Sequence, residues 1–234
     1  MAYWFNFNGI DSRNMGVLLI DPVPVMRGKE RVSHPPVPGR AGLITLTEGE
    51  NIYEPYVQTV KFAAIGADGA ERVMRWLRGR GYVTFHTEAH RRQRASIENE
   101  IKLERVSKHI DKYQGIVQFY CDPMKEPLAQ STMELNMGRF VNEGDADEKP
   151  RLFISGASET TITVDGREFT LTGIPADGCM VDCLAGEVLS ASGEPITRIS
   201  RGEFPRFTPG ENNVEWTQPN GSINITMERR VIYL

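Results

Sequence analysis

Hydrophobic and polar residues alternate along most of the chain in short runs that end at glycine or proline. Tyr3, Phe5 and Phe7 fall on one side of the alternation at the N-terminus, and residues 56–64 repeat the same period of two. This period is typical of a strand with one buried face. The other runs of this kind in the first half are residues 16–20, 43–47, 82–88, 92–106 and 115–121.

One segment departs from this pattern. Residues 68–79 place Val73 and Trp76 on an apolar stripe at helical spacing, opposite three arginines. Asp68 with Glu71 resembles a capping box, and the glycine that closes the segment stands where a left-handed C-cap belongs. We predict one short helix here, packed on a sheet through Trp76.

The second half predicts a compact β-sandwich. Residues 136–150 are polar, acidic and without periodicity, which indicates a linker. Beyond them, two alternating runs in residues 161–171 are joined by Asp165 and Gly166, the strongest short signal for a β-hairpin. Further short runs follow at residues 179–184, 187–190, 213–217, 222–227 and 229–233. Short strands separated by turn residues favour a sandwich without a helix.

These patterns predict a mainly β protein, of the β-rich α+β type, with two domains. Residues 1–135 are expected to form an N-terminal β-sandwich-like domain with one short helix. Residues 136–150 are expected to link it to a β-sandwich of residues 151–234. Many turns and short strands agree with the 22 glycines and 14 prolines that are spread along the chain.

Charge is divided unevenly between the two parts. Residues through Leu135 carry 18 basic and 16 acidic side chains, whereas the remainder carries 9 and 15. The net charge of −4 excludes a strongly basic nucleic-acid-binding protein, whose affinity needs many cations directed at phosphates. The shift in charge also supports a domain boundary near this point.

Motifs of the common enzyme classes are absent from the sequence, including the nucleophile elbow, the Walker loop and the dinucleotide fingerprint. His86 and His90 are expected to be partly exposed side chains rather than metal ligands. Cys179 and Cys183 are expected to be buried, reduced thiols. A carboxylate pair for glycoside hydrolysis stays an alternative at this point, because the distance between the two carboxylates is set by the fold and not by their spacing in the sequence. We therefore predict no catalytic residues, no metal and no cofactor, and an interaction function.

Two stretches are the best candidates for contacts between subunits. Residues 27–40 contain prolines that remove backbone donors, so this stretch must be a loop, an extended arm or an edge element. A cluster of arginines beginning at residue 91 is followed by three glutamates, which favours a salt-bridged β-arm or a charged subunit contact over nucleic-acid binding. The candidate interface residues are Val32, His34, Pro36, Pro38, Arg40, Arg91, Arg92 and Arg94.

The N-terminus lacks the basic and apolar regions of a secretory signal, and every apolar run is far shorter than the roughly 20 residues that a membrane helix needs. We expect no membrane insertion.

Several segments together resemble the distal tail proteins of long-tailed bacteriophages, often abbreviated Dit. The resembling segments are residues 7–12, 16–17, 37–42, 60–62, 75–77, 115–123, 161–171, 202–205 and 209–216. Their order and spacing carry the resemblance, which covers essentially the whole chain. Ala41 departs from the family, which commonly has an acidic residue in this turn.

The resemblance implies a structural protein of the virion, located at the distal end of the phage tail and assembled in the cytoplasm of the bacterial host. It implies a six-fold ring that joins the tail tube protein to the baseplate hub, or tail-associated protein, and the receptor-binding protein. DNA would leave through the lumen without specific binding. The N-terminal domain would build the ring, and a galectin-like C-terminal domain would face outward.

A galectin-like domain also suggests an alternative, a carbohydrate-binding module. Trp216 is the candidate for sugar contact, because sandwich lectins often use an exposed tryptophan. Val214 and Trp216 point the same way in an alternating run, which favours core packing instead. A cell-wall hydrolase component is a further alternative.

Overall fold

The computed structural model describes residues 3–36, 39, 42, 44–47, 49, 52–197, 199–217 and 222–234. The chain divides into two compact units: Met1–Leu128 together with Leu234, and Ala129–Tyr233. Strands dominate both units, and the described residues contain one α-helix. The mainly β class predicted from the sequence is confirmed.

The first unit is built on one large antiparallel sheet with the strand order β2-β1-β7-β8-β10-β6-β3, and β9 also pairs with β10. A separate two-stranded ribbon is formed by β4 and β5. The elements are β1 Phe5–Phe7, β2 Ile10–Asp11, β3 Val17–Leu19, β4 Val32–Ser33, β5 Leu46–Thr47, β6 Tyr56–Ile65, α1 Ala67–Trp76, β7 Gly79–Phe85, β8 Arg91–Ile97, β9 Glu104–Ser107 and β10 Ile110–Pro127.

The core of the first unit is a cluster of aromatic rings. The ring of Phe119 lies 5.5 Å from Phe5, 5.6 Å from Phe7 and 5.8 Å from Phe85, measured between centroids. The indole of Trp76 stacks on Phe5 at 5.3 Å, and its Nε1 donates a hydrogen bond to the carbonyl oxygen of Phe7 at 3.2 Å. The helix is therefore docked on the sheet through Trp76, as the apolar stripe predicted.

The ends of the helix differ from the prediction. The helix begins at Ala67 after Gly66, whose φ is 78°, and no side chain caps it. Because Gly66 adopts a conformation that favours glycine, β6 passes directly into the helix and the predicted capping box at Asp68 is not used. The helix ends at Trp76, and Gly79, with φ also 78°, opens β7.

The long strand predicted over residues 92–106 is two strands, β8 and β9, which pair with different parts of β10. The side chain of Asn99 fills the interval between them. Its Oδ1 accepts a hydrogen bond from the backbone N–H of Gln118 at 2.9 Å, and its Nδ2 donates to the carbonyl of Ile116 at 3.4 Å. One amide side chain thus replaces a strand residue beside β10.

Replacing Asn99 by alanine should destabilise the first unit by about 1–2 kcal/mol, because one donor and one acceptor of β10 lose their partner. Asn99→Asp keeps the acceptor but loses the donor, so its loss of stability should be smaller. Urea denaturation monitored by circular dichroism measures both. Equal stability of the alanine variant and the unchanged protein would contradict this role of Asn99.

The second unit contains two five-stranded antiparallel sheets with the orders β11-β20-β13-β16-β17 and β12-β19-β14-β15-β18. Both sheets contribute side chains to one hydrophobic core. The strands are β11 Thr132–Glu134, β12 Gly138–Asn142, β13 Arg151–Ser155, β14 Glu159–Val164, β15 Arg167–Thr172, β16 Cys179–Asp182, β17 Glu187–Ser190, β18 Ser200–Gly202, β19 Gly210–Trp216 and β20 Asn224–Glu228. The predicted hairpin is β14–β15, and its turn residues Asp165 and Gly166 have φ of 51° and 79°, as a type I′ turn requires.

The linker predicted over residues 136–150 differs from the structure, in which this segment is part of the second unit. It contains β12, which pairs with β19 along its whole length. The side chain of Phe140 is buried, with its ring 4.7 Å from Phe207. Glu148 is fully buried and paired with Arg229 at 2.8 Å. The acidic composition that suggested a solvated linker therefore includes a charge that is neutralised inside the fold.

A second buried carboxylate, that of Asp182, binds an arginine in the segment that follows β20. Asp182 accepts hydrogen bonds from Arg230 at 2.6 Å and from Arg151 at 2.8 Å. The hydrogen bond from Arg230 is the main reason that the pKa of Asp182 lies well below its usual range. The strand predicted over residues 229–233 is absent from the described structure at residues 229–232, where both arginines turn to these carboxylates.

Substituting Asp182 by asparagine should destabilise the second unit by about 2 kcal/mol at neutral pH, because the three charge-assisted hydrogen bonds from Arg230 and Arg151 lose their anionic acceptor. The pKa of Asp182 is lower in the folded protein than in the unfolded chain. The contribution of its carboxylate to the stability of the fold is therefore complete above the unfolded pKa of about 4 and is lost as the pH falls toward the folded pKa. Thermal unfolding between pH 7 and pH 2 should show a smaller acid-induced loss in Asp182→Asn. The same loss in both proteins would contradict the assignment.

All three cysteines are buried free thiols, as predicted for Cys179 and Cys183. Burial raises the pKa of Cys179 to about 11 and that of Cys183 to about 12. The reactive thiolate is therefore disfavoured, and these side chains act in packing.

Candidate assembly interface

A proline-bearing arm leaves the main sheet of the first unit. We define the arm as residues 29–54 and the arm root as residues 22–28. Strands β4 and β5 pair within the arm, and hydrogen bonds from the N–H of Arg31 to the carbonyl of Ile52 (2.9 Å) and from the N–H of Glu54 to the carbonyl of Lys29 (2.7 Å) extend the ladder. A two-stranded ribbon is at best marginally stable alone in water. The arm therefore gains stability from any surface that covers it.

The candidate interface residues of the arm occupy different environments. Val32 lies half-buried in β4, opposite Thr47. His34 and Pro36 are exposed, and the His34 ring is 3.3 Å from a threonine hydroxyl across the ribbon. Pro38 and Arg40 lie outside the residues that the structure describes.

The three candidate arginines of β8 are divided between the two faces of the sheet. Arg91 falls on the same side of the strand as the buried residues Gln93 and Ala95, and it forms an ion pair with Glu88 at 3.6 Å. Arg92 and Arg94 point to the opposite face, because successive side chains in a strand alternate. Of the three candidates, only Arg92 and Arg94 therefore lie on the open face of the sheet.

Arg92 and Arg94 frame one tyrosine on this face. The guanidinium carbon of Arg92 lies 4.4 Å from the ring centroid of Tyr82, and Arg92 also pairs with Glu126 at 3.2 Å. The Nε of Arg94 donates to the hydroxyl of Tyr82 at 3.3 Å. These contacts hold extended cationic side chains in defined positions on the surface.

The open face of the sheet also carries apolar side chains. On β6 and β10 the exposed residues Val57 and Tyr120 lie directly opposite each other, and Ile116 follows on the same face. Leu18 of the edge strand β3 is 52% exposed on the same face, opposite Ala63 and six residues along β6 from Val57. A large apolar patch mixed with polar residues marks an interaction site on a protein surface. This face is the second candidate surface for assembly.

A buried lysine beside the arm root was not predicted from the sequence. Lys125 Nζ donates to both carboxylate oxygens of Glu88, at 2.9 and 2.7 Å, and to the carbonyl of Met26 at 2.9 Å. The alternation of Val117, Phe119 and Cys121 continues with period two to residue 125, which would have placed this lysine on the core side. The strand predicted from the sequence ends at residue 121, four residues before this lysine.

Trp216 is partly buried and packs against the core of the second unit, with Ile162 as its partner across the sheet. Its Nε1 is buried and has no hydrogen-bond partner among the described residues. This environment agrees with the core role that the alternation favoured over sugar contact.

The described residues include no helix of the length and hydrophobicity that crossing a membrane requires.

No known family profile and no curated protein sequence matches the chain. Among solved structures, it is similar to the SPP1 Dit (gp 19.1) protein, described as a paradigm of hub adsorption apparatus in phages that infect Gram-positive hosts. The similarity covers 100% of both chains with a TM-score of 0.78 and 16% sequence identity. The chain therefore has the fold of the SPP1 Dit protein, and the resemblance found in the sequence is confirmed at the level of the fold.

Proposed function

We propose that this protein is a structural component of a phage tail tip. The observation that carries the proposal is the similarity to a hub protein of a phage adsorption apparatus, which covers both chains completely. Full coverage matters because both units, and not a common β-sandwich alone, are matched. The proposed role is structural, and no catalytic residues are assigned.

In this proposal six copies form a ring that joins the tail tube to the baseplate hub and the receptor-binding protein. The first unit builds the ring around a lumen for DNA, and the second unit is a galectin-like module that faces outward. The protein is then located in the virion, at the distal end of the tail, after assembly in the cytoplasm of the host.

The two candidate surfaces of the first unit support a ring. A cyclic ring needs a heterologous interface, in which one patch meets a different patch on the next copy. The arm and the open face of the sheet are two such patches, and both carry exposed apolar groups such as Leu46 and Tyr120. Six identical contacts also hold peripheral proteins by avidity, even if each contact is weak.

The charge distribution supports a conduit for DNA. Residues through Leu135 carry 18 basic and 16 acidic side chains, so the ring-forming part is close to neutral. A strongly basic lining would retain DNA through phosphate contacts. A near-neutral lining allows passage without specific binding.

Negative-stain electron microscopy of the purified chain tests the proposal. We expect closed rings with a central hole over a range of salt concentrations. Isolated single copies in every image, at high protein concentration and in both low and high salt, would contradict it.

A further inference from the structure

The arm root accepts a hydrogen bond from a buried ammonium group, that of Lys125. Lys125 is 2% exposed, and its ammonium group makes three hydrogen bonds, two to Glu88 and one to the backbone carbonyl of Met26. Lysine is almost never this buried unless it is paired. All three donors of this ammonium are used, and one of them reaches the segment that leads into the arm.

An irregularity in β10 lets the lysine reach this segment. Cys121 pairs with Ala95, and the next paired residue of β10 is Lys125, opposite Gln93. Two extra residues of β10 therefore bulge out, and the even count keeps Lys125 on the core side. A β-bulge of this kind redirects side chains while the sheet continues.

The arm root has few other ties to the sheet. Residues 22–28 contain no strand, and the bond from Lys125 to Met26 is the only hydrogen bond between them and the sheet among the described residues. Val23 is buried in the core, and Gly28 lies so close to β10 that an added Cβ would be 2.4 Å from Pro123 Cβ. One apolar anchor, one close approach and one hydrogen bond thus set the path of the chain.

We propose that Lys125 is the positioning residue of the arm. Its bond to the Met26 carbonyl fixes the direction in which the arm leaves the sheet, and this direction lets the arm reach the neighbouring copy. The inference rests on the proposed function, because it assigns a residue to the contact that closes the ring. Glu88 neutralises the ammonium, and Arg91 also forms an ion pair with Glu88 at 3.6 Å.

The test removes the charge and its partner together. Lys125→Met with Glu88→Gln removes the buried ammonium and its carboxylate together. Arg91 also loses the charge of Glu88, but its side chain is 25% exposed and stays partly solvated, so the fold should survive. The bond to Met26 is lost, because methionine has no donor. We expect the fraction of assembled rings to fall at least tenfold at a concentration where the unchanged protein is fully assembled, measured by mass photometry. Trypsin should cleave after Lys29 and Arg31 at least fivefold faster, whereas the midpoint of thermal unfolding should change by only a few degrees.

The matched control is Glu148→Gln with Arg229→Met, which removes a buried ion pair within the second unit and leaves Lys125, Glu88 and the arm root unchanged. This variant should assemble normally and keep the trypsin resistance of the arm. Gly28→Ala is a second, independent variant, because its Cβ must displace the arm root while Lys125 and Glu88 stay intact. The fraction of assembled rings should also fall in Gly28→Ala.

The outcomes separate this inference from the proposed function. The positioning role is supported if the unchanged protein and the control both form rings and the Lys125 variant does not. If the Lys125 variant fails to fold, Gly28→Ala takes its place in this comparison. Normal rings in a folded Lys125 variant, or in Gly28→Ala, overturn the inference and leave the proposed function intact. Absence of rings in the unchanged protein overturns the proposed function, and the inference with it.

Discussion

Removal of the arm should abolish the proposed ring and leave single, folded copies. The antiparallel bridge between Glu30 and Tyr53 brings the two ends of the ribbon together. Residues 31–52 can therefore be replaced by Asn-Gly, which forms the tight turn of a two-residue hairpin. The described residues of this segment contribute nothing to the hydrophobic core of the first unit. We expect the thermal midpoint to stay within a few degrees while the assembled species disappears.

Light scattering coupled to size-exclusion chromatography measures this change directly. The unchanged protein should elute as an assembly, and the shortened protein should elute with the mass of one chain at the same concentration. Circular dichroism serves as the control for folding. Assemblies of the same size in both proteins would show that the arm is not part of the subunit contact.

Phe119→Ala should lower the free energy of unfolding by about 3–5 kcal/mol, more than either Asn99→Ala or Asp182→Asn. Phe119 is fully buried, and its ring contacts three other phenylalanine rings. The cavity would lie where β1, β7 and β10 meet, so the whole first unit is affected. Urea denaturation monitored by tryptophan fluorescence measures the loss, because Trp76 stacks on Phe5 in the same core.

Phe153→Ala is the matched control for this substitution. Phe153 lies in β13 of the second unit and is 42% exposed, so its loss should cost less than about 1 kcal/mol. The first-unit transition should not move in this variant. A larger loss for Phe153→Ala than for Phe119→Ala would contradict the assignment of the core.

Much of the fold could be predicted because its signals are local. The period of two in β6 comes from side chains that alternate between core and surface, and Asp165 with Gly166 supplies the positive φ values that a type I′ turn needs. The spacing of Val73 and Trp76 likewise indicated which face of the helix packs on the sheet. In each case the residues that determine the element lie inside it.

The errors arose where the decisive partner is distant in sequence. Glu148 belongs to an acidic stretch that predicts a solvated linker. Arg229, the residue that neutralises it, lies 81 positions later, so no local signal shows that Glu148 is buried. Asn99 interrupts a predicted long strand because its side chain replaces backbone partners of β10. The period of two in β10 places Lys125 on the core side, but its partners Glu88 and Met26 are remote along the chain and could not be predicted. Pairings of this kind leave no periodicity in the sequence.

The candidate interface was predicted only in part. The prolines of residues 27–40 predicted that this stretch is not a central strand, because proline cannot donate to a ladder. In the described part, residues 27–36, the strand β4 pairs only within the ribbon. The arginine cluster indicated a charged surface, but strand alternation directs Arg91 to the core side and leaves Arg92 and Arg94 on the open face. The apolar component of that face, which includes Tyr120, depends on the pairing of β6 with β10 and could not be assembled from separate runs.

Native mass spectrometry of the purified full chain tests the proposed six-fold assembly most directly. We expect a closed species with six times the subunit mass of 26.3 kDa, which dissociates when the arm is removed. A single species at the mass of one chain, at every protein concentration and ionic strength, would contradict the assembly. An open-ended series of masses would also contradict it, because a ring has a fixed number of copies.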